Sequence, residues 1–155
     1  MPGQKRSRPV VLAVCSGGGH WVQMRRLAPA FSGADVHYAT TDASSADQVG
    51  PSRLHVFPDA NKDTPLRLAI CFIRLAWIIF RLRPQVVIST GAAGGFLAIR
   101  LARLIDARTM FIDSIANARE LSISARLSMG VADHVLSQWP RVAELTGAEY
   151  RGAVI

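Results

Sequence analysis

The residues best suited to do chemistry are Ser16, Gly17, Gly18, Gly19 and His20, which follow the apolar run Val11-Leu12-Ala13-Val14-Cys15. Five apolar residues in a row read as a buried parallel strand. The glycines let the backbone turn sharply and approach a ligand closely. His20 falls where the next helix begins. Free N–H groups and the positive dipole end at such a place favour an anion, typically phosphate or pyrophosphate. An imidazole beside bound phosphate can act as a base near neutral pH. The same residues also suit a plain strand-to-helix turn with an incidental histidine. They are not a P-loop, because no Lys-Ser/Thr follows the glycines. They also make a poor dinucleotide fingerprint, because Val22 occupies the third glycine's place.

A second glycine-rich turn follows another strand, in Ile88-Ser89-Thr90-Gly91-Ala92-Ala93-Gly94-Gly95. Gly91, Gly94 and Gly95 are expected in the loop. Two such loops in one parallel sheet converge on one crevice, although each alone also serves packing. Asp113 ends an apolar run, Phe111-Ile112-Asp113. That position suits a functional carboxylate and equally a turn cap acting through Ser114 and Asn117. Trp139 reads as structural packing.

These side chains need a scaffold, and the pattern supplies one. Strands are expected over residues 10–15, 35–40, 54–57, 85–89, 108–113 and 134–137. Helices are expected over 21–31, 65–82, 95–105, 121–129 and 140–145. Residues 41–53 form a loop or short helix, and 149–155 a last strand or extended tail. Alternation of this kind predicts an α/β fold: a Rossmann-like parallel sheet with helices on both faces, binding ligands beyond the carboxyl ends of its strands.

The longest helix, 65–82, has Thr64 to cap it and Pro65 at its first position. Arg67, Arg74 and Arg81 lie seven residues apart on one face, and the rest of its body is apolar. No uninterrupted stretch approaches the roughly 20 residues of a spanning helix. Either the helix is buried on most sides with its arginines in water, or part of its apolar surface, Trp77 included, meets lipid while the arginines hold headgroups.

Half of the 155 residues are hydrophobic, which excludes a disordered chain, and 18 Lys and Arg against 11 acidic residues give a formal charge of +7. Such a balance suits anionic partners: phosphorylated ligands, an anionic membrane surface or nucleic acid. No helix-turn-helix, zinc finger or aromatic RNA-binding motif is present, so no nucleic acid is expected. Two cysteines, Cys15 and Cys71, make no disulfide framework, and the four scattered histidines make no metal site. No cofactor is expected. Residues 1–9 read as a flexible basic arm rather than a signal peptide, because the following apolar run is too short. Residues 10–155 read as a single domain.

The ordered set Ser16-Gly17-Gly18-Gly19-His20, Ser89-Thr90-Gly91, Ile112-Asp113-Ser114 and Asp133-His134-Val135-Leu136-Ser137-Gln138-Trp139 resembles the PssD-type polysaccharide biosynthesis family. Its eukaryotic counterpart is the membrane-recruiting subunit of the transferase that adds the second GlcNAc to dolichol-pyrophosphate. That family is similar to the N-terminal, acceptor half of MurG-like glycosyltransferases of the GT-B fold. The resemblance implies one half of a split hexosyltransferase, completed by a separate small donor-binding subunit that brings the nucleotide sugar. It places Ser16, Gly17, Gly18, Gly19, Gly91, Gly94 and Gly95 near the phosphates of a lipid-pyrophosphate-linked acceptor. It makes His20 the candidate base and leaves Asp113, where relatives carry glutamate, a catalytic candidate. Arg67, Arg74, Trp77 and Arg81 would meet the membrane, giving a cytoplasmic protein peripheral on the inner face of the plasma membrane. The tail, with Tyr150, Val154 and Ile155, would contact the partner. The competing reading is a noncatalytic module that only anchors a catalytic partner at the membrane.

Overall fold

The structure, a computed structural model, describes residues 7–154. The first six residues of the expected basic arm, and Ile155 of the expected partner-binding tail, lie outside the described residues. The Pro9 carbonyl already accepts a hydrogen bond from the Asp35 N–H (2.9 Å), so the sheet's bonding begins just before the first strand.

Seven parallel strands form one sheet in the order β3-β2-β1-β4-β5-β6-β7: β1 Val10–Val14, β2 Asp35–Thr40, β3 Arg53–Val56, β4 Val86–Ser89, β5 Arg108–Ile112, β6 His134–Ser137 and β7 Glu149–Tyr150. Five helices connect them: α1 Gly19–Arg26, α2 Pro65–Leu82, α3 Ala92–Arg103, α4 Ile123–Ser128 and α5 Pro140–Thr146. The period-2 alternation of the strands sends side chains to two cores. Leu12, Val14, Val87, Phe111 and Val135 pack with Leu75, Ile79, Ala98, Leu101, Ala125 and Val142 from α2 to α5. Ala13, Cys15 and Tyr38 point the other way, onto Trp21 and Met24 of α1 and onto Phe31 and Val49. The expected Rossmann-like sheet with helices on both faces is therefore the observed one.

Several boundaries differ for local reasons. The helix expected over 21–31 starts at Gly19 and gives way after Arg26 to a 3-10 turn, Ala28–Phe31. Pro29 offers no N–H to continue an α-helix. Thr64 does not cap α2 with its side chain; its hydroxyl instead engages Asn61. The expected final strand shrinks to Glu149–Tyr150, and an extended tail follows.

The largest correction concerns the second glycine turn. The helix expected from residue 95 begins at Ala92, so Gly94 and Gly95 are buried residues of α3, not members of a loop. A Cβ on Gly94 would run into the Phe57 ring, and one on Gly95 would overlap Ser89 Oγ. Both glycines let α3 lie close against the strand ends, which outweighs their poor helix propensity. The buried Ser89 Oγ also accepts the Gly91 N–H (3.1 Å). Gly95→Ala must therefore displace that hydroxyl and the turn it holds. We expect it to cost about 1–3 kcal/mol, measured by denaturant unfolding.

Candidate functional site at the topological switch point

Strand order reverses between β1 and β4, which are hydrogen-bonded neighbours with Val14 opposite Ser89. The two glycine turns leave the carboxyl ends of these two strands, so they flank the crevice where parallel sheets bind ligands. Gly18, at φ +67°, precedes α1, and Gly91, at φ +142°, precedes α3. Two helix N-termini thus meet at one place, and neither has an acidic residue in its first turn. The first-turn amides, Gly19, His20 and Trp21 in α1 and Ala92, Ala93 and Gly94 in α3, lack intrahelical acceptors. They point positive charge at the crevice.

Not every predicted glycine offers its N–H. Gly17 donates to Thr41 Oγ1 (3.0 Å), so this amide secures the turn instead of a ligand. Asp42 abuts Gly17 but turns its carboxylate onto the Ser44 N–H and hydroxyl (2.9 and 2.7 Å). Gly95 lies one residue beyond the free first turn of α3, whereas Gly94 remains within it. Ser16 is half-buried between β1 and the turn.

His20 is held from β4. Its Nδ1 lies 2.8 Å from the Thr90 carbonyl, and the Thr90 hydroxyl donates back to the His20 carbonyl (2.8 Å). A carbonyl oxygen only accepts, so Nδ1 carries the proton and the neutral ring keeps its lone pair on Nε2. Nε2 has no hydrogen-bond partner among the described residues. The imidazole packs against Gly91, where a Cβ would overlap it. Any other residue there would be strained by the positive φ and would push the ring aside. Thr90, which positions the His20 ring, is a residue to which the sequence assigned no role. The only signal was its place in Ser-Thr-Gly, because its partner is 70 residues away.

Asp113 takes the turn-holding of its two possible roles. The residue is 2% exposed, with one carboxylate oxygen accepting from Asn117 Nδ2 and the other from the Ser122 N–H, both at 2.9 Å. It holds the segment between β5 and α4, through Asn117 as expected but through the Ser122 N–H in place of Ser114, whose hydroxyl accepts the Ala116 N–H. Its carbonyl accepts from Gln138 Nε2 (2.8 Å) and from Gln23 Nε2 on α1 (3.4 Å). Gln138 Oε1 in turn accepts the Val154 N–H (2.7 Å), which ties the tail back to the sheet's carboxyl edge. Tyr150 is exposed beside it. Trp139 donates its indole N–H to the Ile115 carbonyl (2.7 Å). Cys15, beneath the first turn, is no nucleophile: burial pushes its thiol up to about 12.

The long helix α2 resolves its ambiguity in an unusual way. Cys71, Leu75, Ile78 and Ile79 enter the core. The opposite side is also apolar and faces outward, with Leu66 75%, Ile70 50%, Ile73 66%, Trp77 53% and Phe80 45% exposed. These positions recur every three to four residues, so they form one stripe. Arg67, Arg74 and Arg81 are exposed along one flank of it. Arg74 donates Nε–H to the Val56 carbonyl (3.1 Å) and stacks over the Trp77 ring at 4.9 Å, which fixes that flank against β3. Among the described residues no helix is long and apolar enough to cross a membrane.

One more surface was not legible beforehand. On the α1 side of the sheet, α1 spans β1 and β2, whereas Val86, Met110 and Leu136 of β4, β5 and β6 are half-buried and belong to neither core.

Comparison with known proteins shows the family and the fold. A family described as Alg14, oligosaccharide biosynthesis protein Alg14 like, matches residues 62–154. The chain is 24% identical over 181 residues to the UDP-N-acetylglucosamine transferase subunit ALG14 of Yarrowia lipolytica, covering 97% of this chain and 83% of the relative. The subunit of the same name from Eremothecium gossypii is also 24% identical, over 178 residues, with 94% and 80% covered. Among solved structures, MurG of Acinetobacter baumannii superposes with a TM-score of 0.70 at 18% identity, over 86% of this chain and 42% of that one. A UDP-GlcNAc 2-epimerase of Methanocaldococcus jannaschii gives 0.71 at 11% identity, over 92% and 46%. These likenesses show the fold, and the chain spans less than half the length of either structure.

Proposed function

The chain belongs to the Alg14-like family of oligosaccharide biosynthesis proteins, and from that premise we propose that it is the acceptor-binding, membrane-associated subunit of a two-component glycosyltransferase. A separate donor-binding subunit brings the nucleotide sugar, and UDP-N-acetylglucosamine is the donor that the relatives' names support. The acceptor is a sugar on a lipid pyrophosphate in polysaccharide assembly. Its hydroxyl attacks the anomeric carbon of the donor, the bond from that carbon to the nucleotide diphosphate breaks, and the proton passes to His20 Nε2. The first-turn amides of α1 and α3 hold the acceptor's phosphates. Fixed donors need no reorganisation as charge develops. The observation that carries this reading is the histidine locked by Thr90 between two convergent helix N-termini, with Nε2 unpartnered among the described residues.

The outward stripe of α2 lies on an anionic membrane surface, with Arg67, Arg74 and Arg81 toward its phosphates. This makes the protein peripheral on the cytoplasmic face of its membrane. The donor subunit covers the open side of β4, β5 and β6 and meets the tail at Tyr150 and beyond. Half-buried apolar side chains without a helix over them are what a partner's apolar surface covers.

The test is reconstitution. The purified chain mixed with its donor-binding partner is expected to elongate a prenyl-pyrophosphate-linked acceptor from UDP-GlcNAc, and neither protein alone is expected to do so. Calorimetry of the isolated chain should detect no micromolar binding of UDP-GlcNAc. Tight binding there would place the donor site on this chain and overturn the division of labour.

A further inference from the structure

Two histidines away from the crevice face one another across the edge of the sheet. His37 of β2 and His55 of β3 share a hydrogen bond between Nδ1 of the first and Nε2 of the second (3.0 Å), with ring planes 13° apart and centroids 5.3 Å apart. His37 is only 3% exposed, and His55 is half-buried. Ala39, two residues beyond His37, belongs to the core beneath α2, so the pair lies on that side of the sheet. The bond is a cross-strand tie at a weak place. β3 is an edge strand of four residues, paired with β2 alone. Just beyond it the Phe57 N–H donates to the Thr40 carbonyl (3.1 Å), and the Phe57 ring fills the space at Gly94 in the first turn of α3.

The charges around the pair are mostly of one sign. Asp35 of β2 brings a carboxylate oxygen to 3.7 Å from His37 Nε2. Burial first, and then the charges of His37, of Arg74 on α2 and of Arg53 on β3, hold the His55 imidazole below its ordinary range. No carboxylate is among the groups acting on His55. Asp59, in the chain leading to α2, acts on the buried Cys71 thiol instead. One proton added to the pair keeps the bond, because an imidazolium still donates to a neutral ring. Two protons leave no lone pair between the rings, and His37, His55, Arg53 and Arg74 then confront Asp35 alone.

We propose that His37 and His55 are an acid-released latch: their shared bond ties β3 to β2 at neutral pH, and full protonation breaks it, freeing the edge strand together with the Phe57 ring that packs against the first turn of α3. The latch stands independently of what the crevice binds. Its direction follows from linkage. The unfolded chain takes up a proton at His55 more readily than the folded one does. This contribution to stability is therefore complete above the ordinary imidazole range and is lost as pH falls below it. The release is local, because β3 has a neighbour on one side only, and β5 and β6 lie in the other half of the sheet. Arg74 is bonded to the Val56 carbonyl, so release of β3 also unmoors the arginine flank of α2.

The test is amide hydrogen exchange read by mass spectrometry on the full chain, at about pH 7.5 and about pH 5, on either side of the ordinary imidazole pKa and corrected for the intrinsic effect of pH. In wild type, protection over residues 53–57 is expected to fall about tenfold or more in acid, the scale of one buried hydrogen bond lost. Residues 108–112 and 134–137, in β5 and β6, are expected to keep theirs. His37→Asn with His55→Gln places amide groups near the two bonded nitrogens, so the tie persists without a titrating group. That variant is expected to keep its protection over residues 53–57 at both pH values. Should it not fold, His55→Gln alone makes the comparison, since a charged His37 still donates to the glutamine carbonyl. Unchanged wild-type protection over residues 53–57 overturns the latch. So does a loss of the same size in the amide variant, which would assign it to other groups. A loss spread evenly over every strand overturns it too, because that is general acid unfolding.

Discussion

Replacing His20 with asparagine is expected to lower the turnover of the reconstituted pair by about 10²–10⁴-fold, the usual contribution of a positioned general base. Asparagine is the informative choice because its side-chain N–H reaches the position of Nδ1 and can keep the bond to the Thr90 carbonyl. The ring's Nε2 lone pair is lost, while the turn and the α1 amides stay in place. Acceptor KM should therefore change little while kcat collapses, the signature of an interaction needed mainly in the transition state. The measurement is initial rate against acceptor concentration, beside a melting curve that confirms the fold. A variant that keeps its rate within about threefold would move the chemistry to the partner. The chain would then be a recruiting module.

The second large effect is at the membrane. Changing Ile70, Ile73 and Trp77 together to serine should reduce partition into anionic vesicles by about 10²–10³-fold, since each apolar side chain buried is worth about 1.5–3 kcal/mol in full and these are half or more exposed. The three face away from the core packed by Leu75, Ile78 and Ile79, so folding should survive. Changing Arg67, Arg74 and Arg81 to glutamine should cost about 1 kcal/mol per charge at low salt. The two variants separate by salt: added salt weakens the wild-type arginine contribution but leaves the apolar one. Unchanged sedimentation of the folded serine variant would refute membrane docking through α2.

Much of this architecture is legible in the sequence. Strand and helix periods are local, so Val10–Val14, Asp35–Thr40 and Pro65–Leu82 could be read within a residue or so from apolar spacing and prolines. The first glycine turn and His20 were legible for the same reason, because a strand end, three glycines and a helix start are adjacent in the chain.

What stayed hidden depends on partners distant in sequence. Gly94 read as loop, and Gly95 as the point where loop passes into helix, because glycine marks turns; both lie inside α3, where only the lack of a Cβ admits Phe57 and Ser89. Asp113 offered two equal roles in the sequence, and its bond to the Ser122 amide, nine residues on, was not legible there. The apolar residues of α2 carry no mark of which face is buried, since the helix is apolar nearly all round, and only docking on α3 and the sheet leaves Leu66, Ile73 and Trp77 outside. The sequence by itself determined the alternating elements, the basic balance and the two turns, because those follow from local periodicity and composition. The tertiary structure alone decided that the turns flank one switch point and that Thr90 selects the tautomer of His20. Both depend on β1 and β4 lying side by side, a pairing across 75 residues, Val11 to Val86, that no local preference encodes.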